Sequence, residues 1–282
     1  MDHQIGGIGL GQKDFSIIVV ADTQNVAKSN QPEQLVTMAE WIIDHAEEWN
    51  IQKVLHVGDV VDDGIDNEQQ WENHRQAFDR IDAAGIPLLF SIGNHDYDNL
   101  LTENRDATAF NKHCGGDRFI GKDWFGGQYE HQAENMYTLL NIEGEKYMFM
   151  TLEFAPRSEV IDWANDVIKS HSDHKVIMVT HSFLYIDGTH TAPGANHHPH
   201  DDVGTQDGHD GKSLWEKCIK KHPNITAVYS GHHVGGNVSH RLDEGEHGNL
   251  VFQSFQNWQL TENGGQARFR LVHYRPKEGI VQ

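Results

Sequence analysis

Apolar runs of strand length alternate with segments of helical period, and this alternation constrains the fold more than any other feature of the 282 residues. Phe15 to Ala21 reads FSIIVVA, a β-branched run of the kind buried on both faces of a parallel sheet. Between Gln31 and Trp49 the positions Leu35, Met38, Ala39, Trp41, Ile42, His45, Ala46 and Trp49 fall on one helical stripe. A strand over Lys53 to Val57, a helix over Glu68 to Ala84 and a strand over Leu88 to Ile92 complete a β-α-β-α-β series. Such a series predicts a parallel sheet with helices packed on it.

The second half has more antiparallel character. Met136 to Ile142 and Lys146 to Leu152 flank Glu143-Gly144-Glu145 and read as a hairpin. A helix over Ser158 to Ser170, a strand over Lys175 to Thr180, a helix over Lys212 to Lys221 and a strand over Thr226 to Ser230 follow, with closing strands over Leu250 to Phe255 and Ala267 to Tyr274. The pattern predicts an α/β fold: two mixed sheets sandwiched between helices, four layers in the order α-β-β-α. One domain over 15–282 is expected, behind a flexible leader over 1–14. Residues 185–212, rich in Gly, His and Asp and without periodicity, form a long irregular loop of the kind that is functional or disordered.

Charge narrows the function classes. With 42 Asp and Glu against 22 Lys and Arg, a formal net charge of -20, the chain lacks the basic patch that grips nucleic-acid backbones, so no non-specific nucleic-acid binding is expected. No run approaches the ~18 apolar residues of a membrane span, and the first residues lack a signal-peptide pattern. A soluble chain is expected, cytoplasmic as given, or secreted if a signal was removed. Cys114 and Cys218 have no CxxC spacing and read as ordinary thiols.

Five strands run into polar clusters at their C-terminal ends: Asp22-Thr23-Gln24, Gly58-Asp59-Val60-Val61-Asp62, Gly93-Asn94-His95-Asp96, Thr180-His181 and Gly231-His232-His233. Ligands of open α/β sheets bind outside the carboxyl ends of strands, so the five clusters can converge. Asp, Asn and His together are what a divalent-metal site requires. Taken singly, Asp22 or His181 would be an ordinary polar residue at a strand end. His56, inside its strand, reads as a core histidine or one supporting a site; His45, His74 and His222 read as helix-surface or helix-end residues. Trp41, Trp49, Trp71, Trp163 and Trp215 read as core anchors.

The order D-x-Q, G-D-x-x-D, G-N-H-D, H, G-H-x resembles the calcineurin-like metallophosphoesterase superfamily from about Asp22 to Val234. The resemblance implies a metal-dependent phosphoric ester hydrolase. Asp59 would bridge two divalent ions (Mn, Mg, Fe or Zn), Asn94, His181 and His232 would complete one site, and Asp22 and Gln24 would belong to the other. His95 would lie beside the metals and protonate the leaving oxygen or stabilise the transition state, with Asp96 orienting it and Asp62 supporting the site. Two such ions can clamp a phosphoryl group and supply hydroxide at neutral pH, so no nucleophilic Ser or Cys is needed.

Two positions depart from the family pattern, which carries His where this chain has Gln24 and Val234. Both fall on one metal. The site would be oxygen-rich and suited to Mn, Mg or Ca, with His233 the candidate replacement ligand. The altered half keeps a second reading open: a weakly active or inactive module that holds one metal and a phosphorylated partner. His198-Pro199-His200-Asp201-Asp202 nearly spells another metallohydrolase motif, but Val203 stands where its last His belongs. The substrate, phosphomonoester or phosphodiester, is left open.

Overall fold

The computed structural model describes residues 3–4, 13–65, 67–115 and 118–282, so most of the expected leader over 1–14 lies outside the described residues. The strands are β1 (His3–Gln4), β2 (Phe15–Val20), β3 (Ile51–His56), β4 (Leu88–Phe90), β5 (Phe125–Gln128), β6 (Met136–Ile142), β7 (Glu145–Leu152), β8 (Lys175–Thr180), β9 (Ile225–Ser230), β10 (Val238–Glu244), β11 (Leu250–Gln256), β12 (Phe269–Arg275) and β13 (Ile280–Val281). They form two sheets, ordered β1-β13-β12-β2-β3-β4 and β10-β11-β9-β8-β7-β6-β5. The helices are α1 (Gln24–Ala27), α2 (Glu33–Asp44), α3 (Glu68–Ala83), α4 (Thr108–Cys114), α5 (Ser158–Ser170) and α6 (Gly211–Lys217).

Alternation along β7 sets the layers. Tyr147 and Phe149 join one core with the first sheet and the apolar faces of α2 and α3, whereas Met148, Met150 and Leu152 join a second core under α5 and α6. Successive side chains of a strand point to opposite faces, so β7 can belong to both cores only if its sheet is covered on both sides. The result is the expected α-β-β-α sandwich. Each fully buried Leu, Ile or Phe in it contributes roughly 1.5–3 kcal/mol. Trp71 and Trp215 are buried in these cores, and Trp41, Trp49 and Trp163 pack against them half-buried.

Some local expectations change. β5 and β10 were not foreseen: β5 contains two glycines, and β10 is an edge strand whose half-exposed side chains carry little apolar signal. The helix expected over Lys212 to Lys221 breaks at Cys218 and continues as a 3-10 turn. His74 lies on the buried face of α3, stacked on Phe78 at 4.4 Å, rather than on the surface. Its spacing of three from Trp71 and four from Phe78 puts it on the same stripe.

The strands that deliver the polar clusters are parallel: β2, β3 and β4 in the first sheet, and β8 and β9 in the second. Their C-terminal ends share one edge of the sandwich. Among the described residues no helix is long and apolar enough to cross a membrane.

Candidate metal centre

Four of the five clusters line one cavity of about 230 Å3, which Asp59, Asn94, His95 and His232 border together with Gln24 and Val234. His181, fully buried, closes the floor: a carboxylate oxygen of Asp59 and ring nitrogens of His181 and His232 lie within 4.8 Å of one another. The backbone is bent to achieve this. Asp59 and His232 adopt left-handed conformations, with φ of 52° and 72°, which non-glycine residues take mainly where the surroundings enforce them. A Cβ at Gly93 would stand 2.2 Å from Asp59 Oδ1, and one at Gly231 would stand 2.2 Å from Asp22 Oδ1. Only glycine permits those approaches, which explains why it precedes Asn94 and His232.

Hydrogen bonds select the nitrogen each histidine offers. His181 Nδ1 donates to the Val57 carbonyl at 2.9 Å, leaving Nε2 free to face Asp59 Oδ1 at 3.1 Å. His232 Nε2 donates to the His197 carbonyl at 2.8 Å, leaving Nδ1 as its lone-pair donor. A carbonyl holding one ring N–H is the usual support of a metal-ligating histidine.

The donor set fits divalent ions. Gln24 Oε1, Asn94 Oδ1 and His181 Nε2 are buried without a hydrogen-bond partner, and leaving a buried polar atom unsatisfied costs about 1–3 kcal/mol. Gln24 and Asn94 line the same cavity as Asp59, and His181 Nε2 lies 3.1 Å from Asp59 Oδ1, so a cation there would satisfy all three. Electrostatics agrees. Burial, reinforced by the Asp59 charge and opposed by His181, raises the Asp22 carboxyl to about 7. Burial opposes ionisation of Asp59 as well, but His181 and His95 outweigh it and hold its carboxyl below the usual range. Burial works against a charged His181, yet Asp59 raises it to about 9. A proton on His181 Nε2 and a bound cation are thus alternatives for the same place beside two buried carboxylates.

Asn257, outside the five clusters, also serves the site. Its Nδ2 donates to Asp22 Oδ2 at 3.0 Å, and the His232 backbone N–H donates to the same oxygen at 3.0 Å. Asn257 directly follows β11, a sixth strand ending in a polar residue, and that signal could have found it. His56 supports the opposite side: its Nε2 lies 3.0 Å from Thr23 Oγ1, and its Nδ1 accepts from the Gly58 N–H at 3.1 Å.

The expected role of Asp96 requires correction. His95 Nδ1 donates to the Asp62 carbonyl at 2.9 Å and lies 3.6 Å from the Asp62 carboxylate. Asp96, fully buried, instead accepts the backbone N–H groups of Gly93 at 2.8 Å and Val61 at 3.1 Å. Asn94–Asp96 is a 3-10 turn, in which successive side chains point about 120° apart. Asp96 therefore ties the two loops together, and Asp62 orients the histidine. Burial disfavours a charged His95, but Asp59, the Asp62 carbonyl and carboxylate, and Asp96 raise its pKa overall.

His233 does not fill the place opened at Val234. It is fully buried, with Nε2 3.0 Å from Ser182 Oγ and its ring 5.0 Å from that of Tyr185, whereas Val234 lines the cavity. The long loop is folded by its own histidines. His198 Nε2 lies 3.3 Å from Asp210, and His200 donates to the Gly208 carbonyl at 2.8 Å. Of the loop's five histidines only His197 borders the cavity. Among the described residues the Asp59, His181 and His232 group is the one cluster of His, Cys, Asp and Glu with metal-ligand spacing.

Comparison with known proteins agrees with this fold. The chain is 31% identical over 271 residues to YvnB of Bacillus subtilis (strain 168), an uncharacterized protein; the match covers 95% of this chain and 19% of that protein, so the chain spans about a fifth of its relative. A dimetal phosphatase from Danio rerio superposes with a TM-score of 0.50 at 11% identity, covering 85% of this chain and 86% of that one, a likeness of fold. The family model for calcineurin-like phosphoesterases matches residues 15–236. With a buried carboxylate and two imidazoles gathered at the strand ends inside that match, the chain belongs to the calcineurin-like phosphoesterase family.

Proposed function

We propose that the protein hydrolyses a phosphoric ester with the help of two divalent ions. Asn94, His181 and His232 would hold one, Asp22 and Gln24 the other, with Asp59 shared. When bound, such ions polarise the phosphoryl group and activate water. The single observation that carries the reading is the set of orphaned buried atoms, Gln24 Oε1, Asn94 Oδ1 and His181 Nε2, at the cavity that Asp59 lines.

The remaining steps belong to the chain. His95 keeps its Nδ1 proton on the Asp62 carbonyl, so Nε2 is the atom that carries a proton to the leaving oxygen. The Asp62 carboxylate, 3.6 Å away, stabilises the ring while it is charged. Asp96 holds the loops of Asp59 and Asn94 in register through Val61 and Gly93. Asn257 fixes the carboxylate of Asp22. A half-exposed His95 at the cavity favours hydrolysis over mere binding, since a module that only holds a phosphorylated partner has no use for a proton donor there.

The test is hydrolysis of aryl phosphate mono- and diesters by metal-stripped protein with single ions added back. Turnover that appears only with added ion supports the reading. Tight binding of phosphate without turnover, under every ion, would leave the binding module.

A further inference from the structure

The metal cavity does not end at the metal ligands. A second hollow of about 210 Å3 adjoins it, with Val234, Gln259 and Leu260 lining both. Gly235, Gly236 and Asn237 extend the wall away from the site. The wall is built: the Gln259 N–H donates to Asn257 Oδ1 at 2.9 Å, and Asn25 Nδ2 donates to the Gln259 carbonyl at 3.0 Å. Asn257 in turn holds Asp22, so the wall and the metal end are braced by one residue. Leu260 stands at the mouth with 68% of its surface exposed.

The charge of this wall selects its ligand. Among the described residues no Lys or Arg lines either hollow, and the Asp62 carboxylate lines the first. Lys28 lies at 2.8 Å from that carboxylate and is engaged with it. A phosphomonoester carries close to two negative charges near neutral pH, and beyond the ions and the histidines of the metal cavity nothing basic meets it, while the second hollow is lined by no charged side chain at all. A diester carries one. We propose that the wall of Val234, Gln259, Leu260 and Asn237 is the subsite for the second ester group of a phosphodiester. That group is neutral, with hydrogen-bonding edges for the amides and an apolar face for Leu260 and Val234, as in a nucleoside. The proposal rests on the phosphoesterase reading above.

The experiment compares 4-nitrophenyl phosphate, bis(4-nitrophenyl) phosphate and thymidine 5′-(4-nitrophenyl phosphate) on metal-loaded protein, wild type and with Leu260→Ala or Leu260→Lys. Both substitutions fall on an exposed side chain, and thermal melting checks that the fold is kept. Calorimetric binding of a slowly hydrolysed phosphorothioate diester is measured in parallel. The expected result is a kcat/KM for the diesters at least about 10-fold above that for the monoester, with Leu260→Ala raising KM for the thymidine diester by about 10-fold at unchanged kcat. The same substitution weakens phosphorothioate binding, and Leu260→Lys narrows the diester preference. A preferred monoester, or equal effects of Leu260→Ala on mono- and diesters, overturns the subsite while leaving the phosphoesterase reading in place. If no ester is hydrolysed, that reading falls. The subsite is then decided by binding alone: weaker phosphorothioate affinity in Leu260→Ala supports it, and unchanged affinity overturns it.

Discussion

The two halves of the proposed metal centre would share Asp59 and differ in almost everything else. One half gathers Asn94, His181 and His232, two of them imidazoles whose donor nitrogens are chosen by the carbonyls of Val57 and His197. The other would draw on Asp22 and Gln24, the latter lining the cavity beside Val234, which offers no ligand atom. The first half would be held by strong fixed donors; the second would be oxygen-rich, and the Asp22 carboxylate depends on Asn257 and one backbone N–H for its orientation. Imidazole suits many transition metals, whereas carboxylate and amide oxygens suit harder ions. Within one cavity, then, the halves should differ in affinity and in metal preference.

The largest effect should come from the residue the halves share. Asp59→Asn removes charge from both and should cut kcat/KM by about 10³-fold, the several kcal/mol that metal stabilisation supplies. A folded protein by circular dichroism, with both ions lost by elemental analysis, is the expected accompaniment. His95→Ala leaves both halves intact and should slow turnover by about 10²-fold, as loss of a positioned acid does. Metal content should not change; if His95→Ala loses metal and keeps its activity per ion, the histidine is a ligand and the proton-transfer role is wrong.

Smaller effects separate the halves. Asn257→Ala frees Asp22 and should weaken the oxygen-rich half roughly 10-fold, in line with other supporting residues of metal ligands. The nitrogen-rich half should be untouched in the same titration. Gln24→His should tighten the weak half by about 10-fold and shift its preference towards Zn²⁺. No change there would mean that Gln24 does not reach the ion.

What the sequence revealed about this comparison depended on range. The strand ends were legible because a β-branched run followed by Asp, Asn or His is a local pattern, and the parallel order places such ends together. Asn257 obeys the same rule, but its strand reads as a mere closing strand, so the sixth end went unnoticed. The misassignment of Asp96 has a different origin. His95 and Asp96 are adjacent in sequence, but the 3-10 turn sends their side chains apart, and the partner of His95 comes from Asp62 across the site. His197 and the Leu260 wall were beyond reach because loop positions are set by tertiary contacts, here the His198 and Asp210 pair and the bond from Asn25 to Gln259. His74 was misread because a histidine on an apolar helical stripe looks polar by type and buried by position.

Stepwise calorimetric titration of metal-stripped wild-type protein with Mn²⁺, with hydrolysis rates measured on the same samples, tests the unequal centre most directly. The account predicts two binding steps separated by at least about 10-fold in affinity, as the difference between nitrogen and oxygen donor sets requires, with hydrolysis rising only as the second, weaker step fills. Two steps of equal affinity, or full activity after a single equivalent, would contradict it.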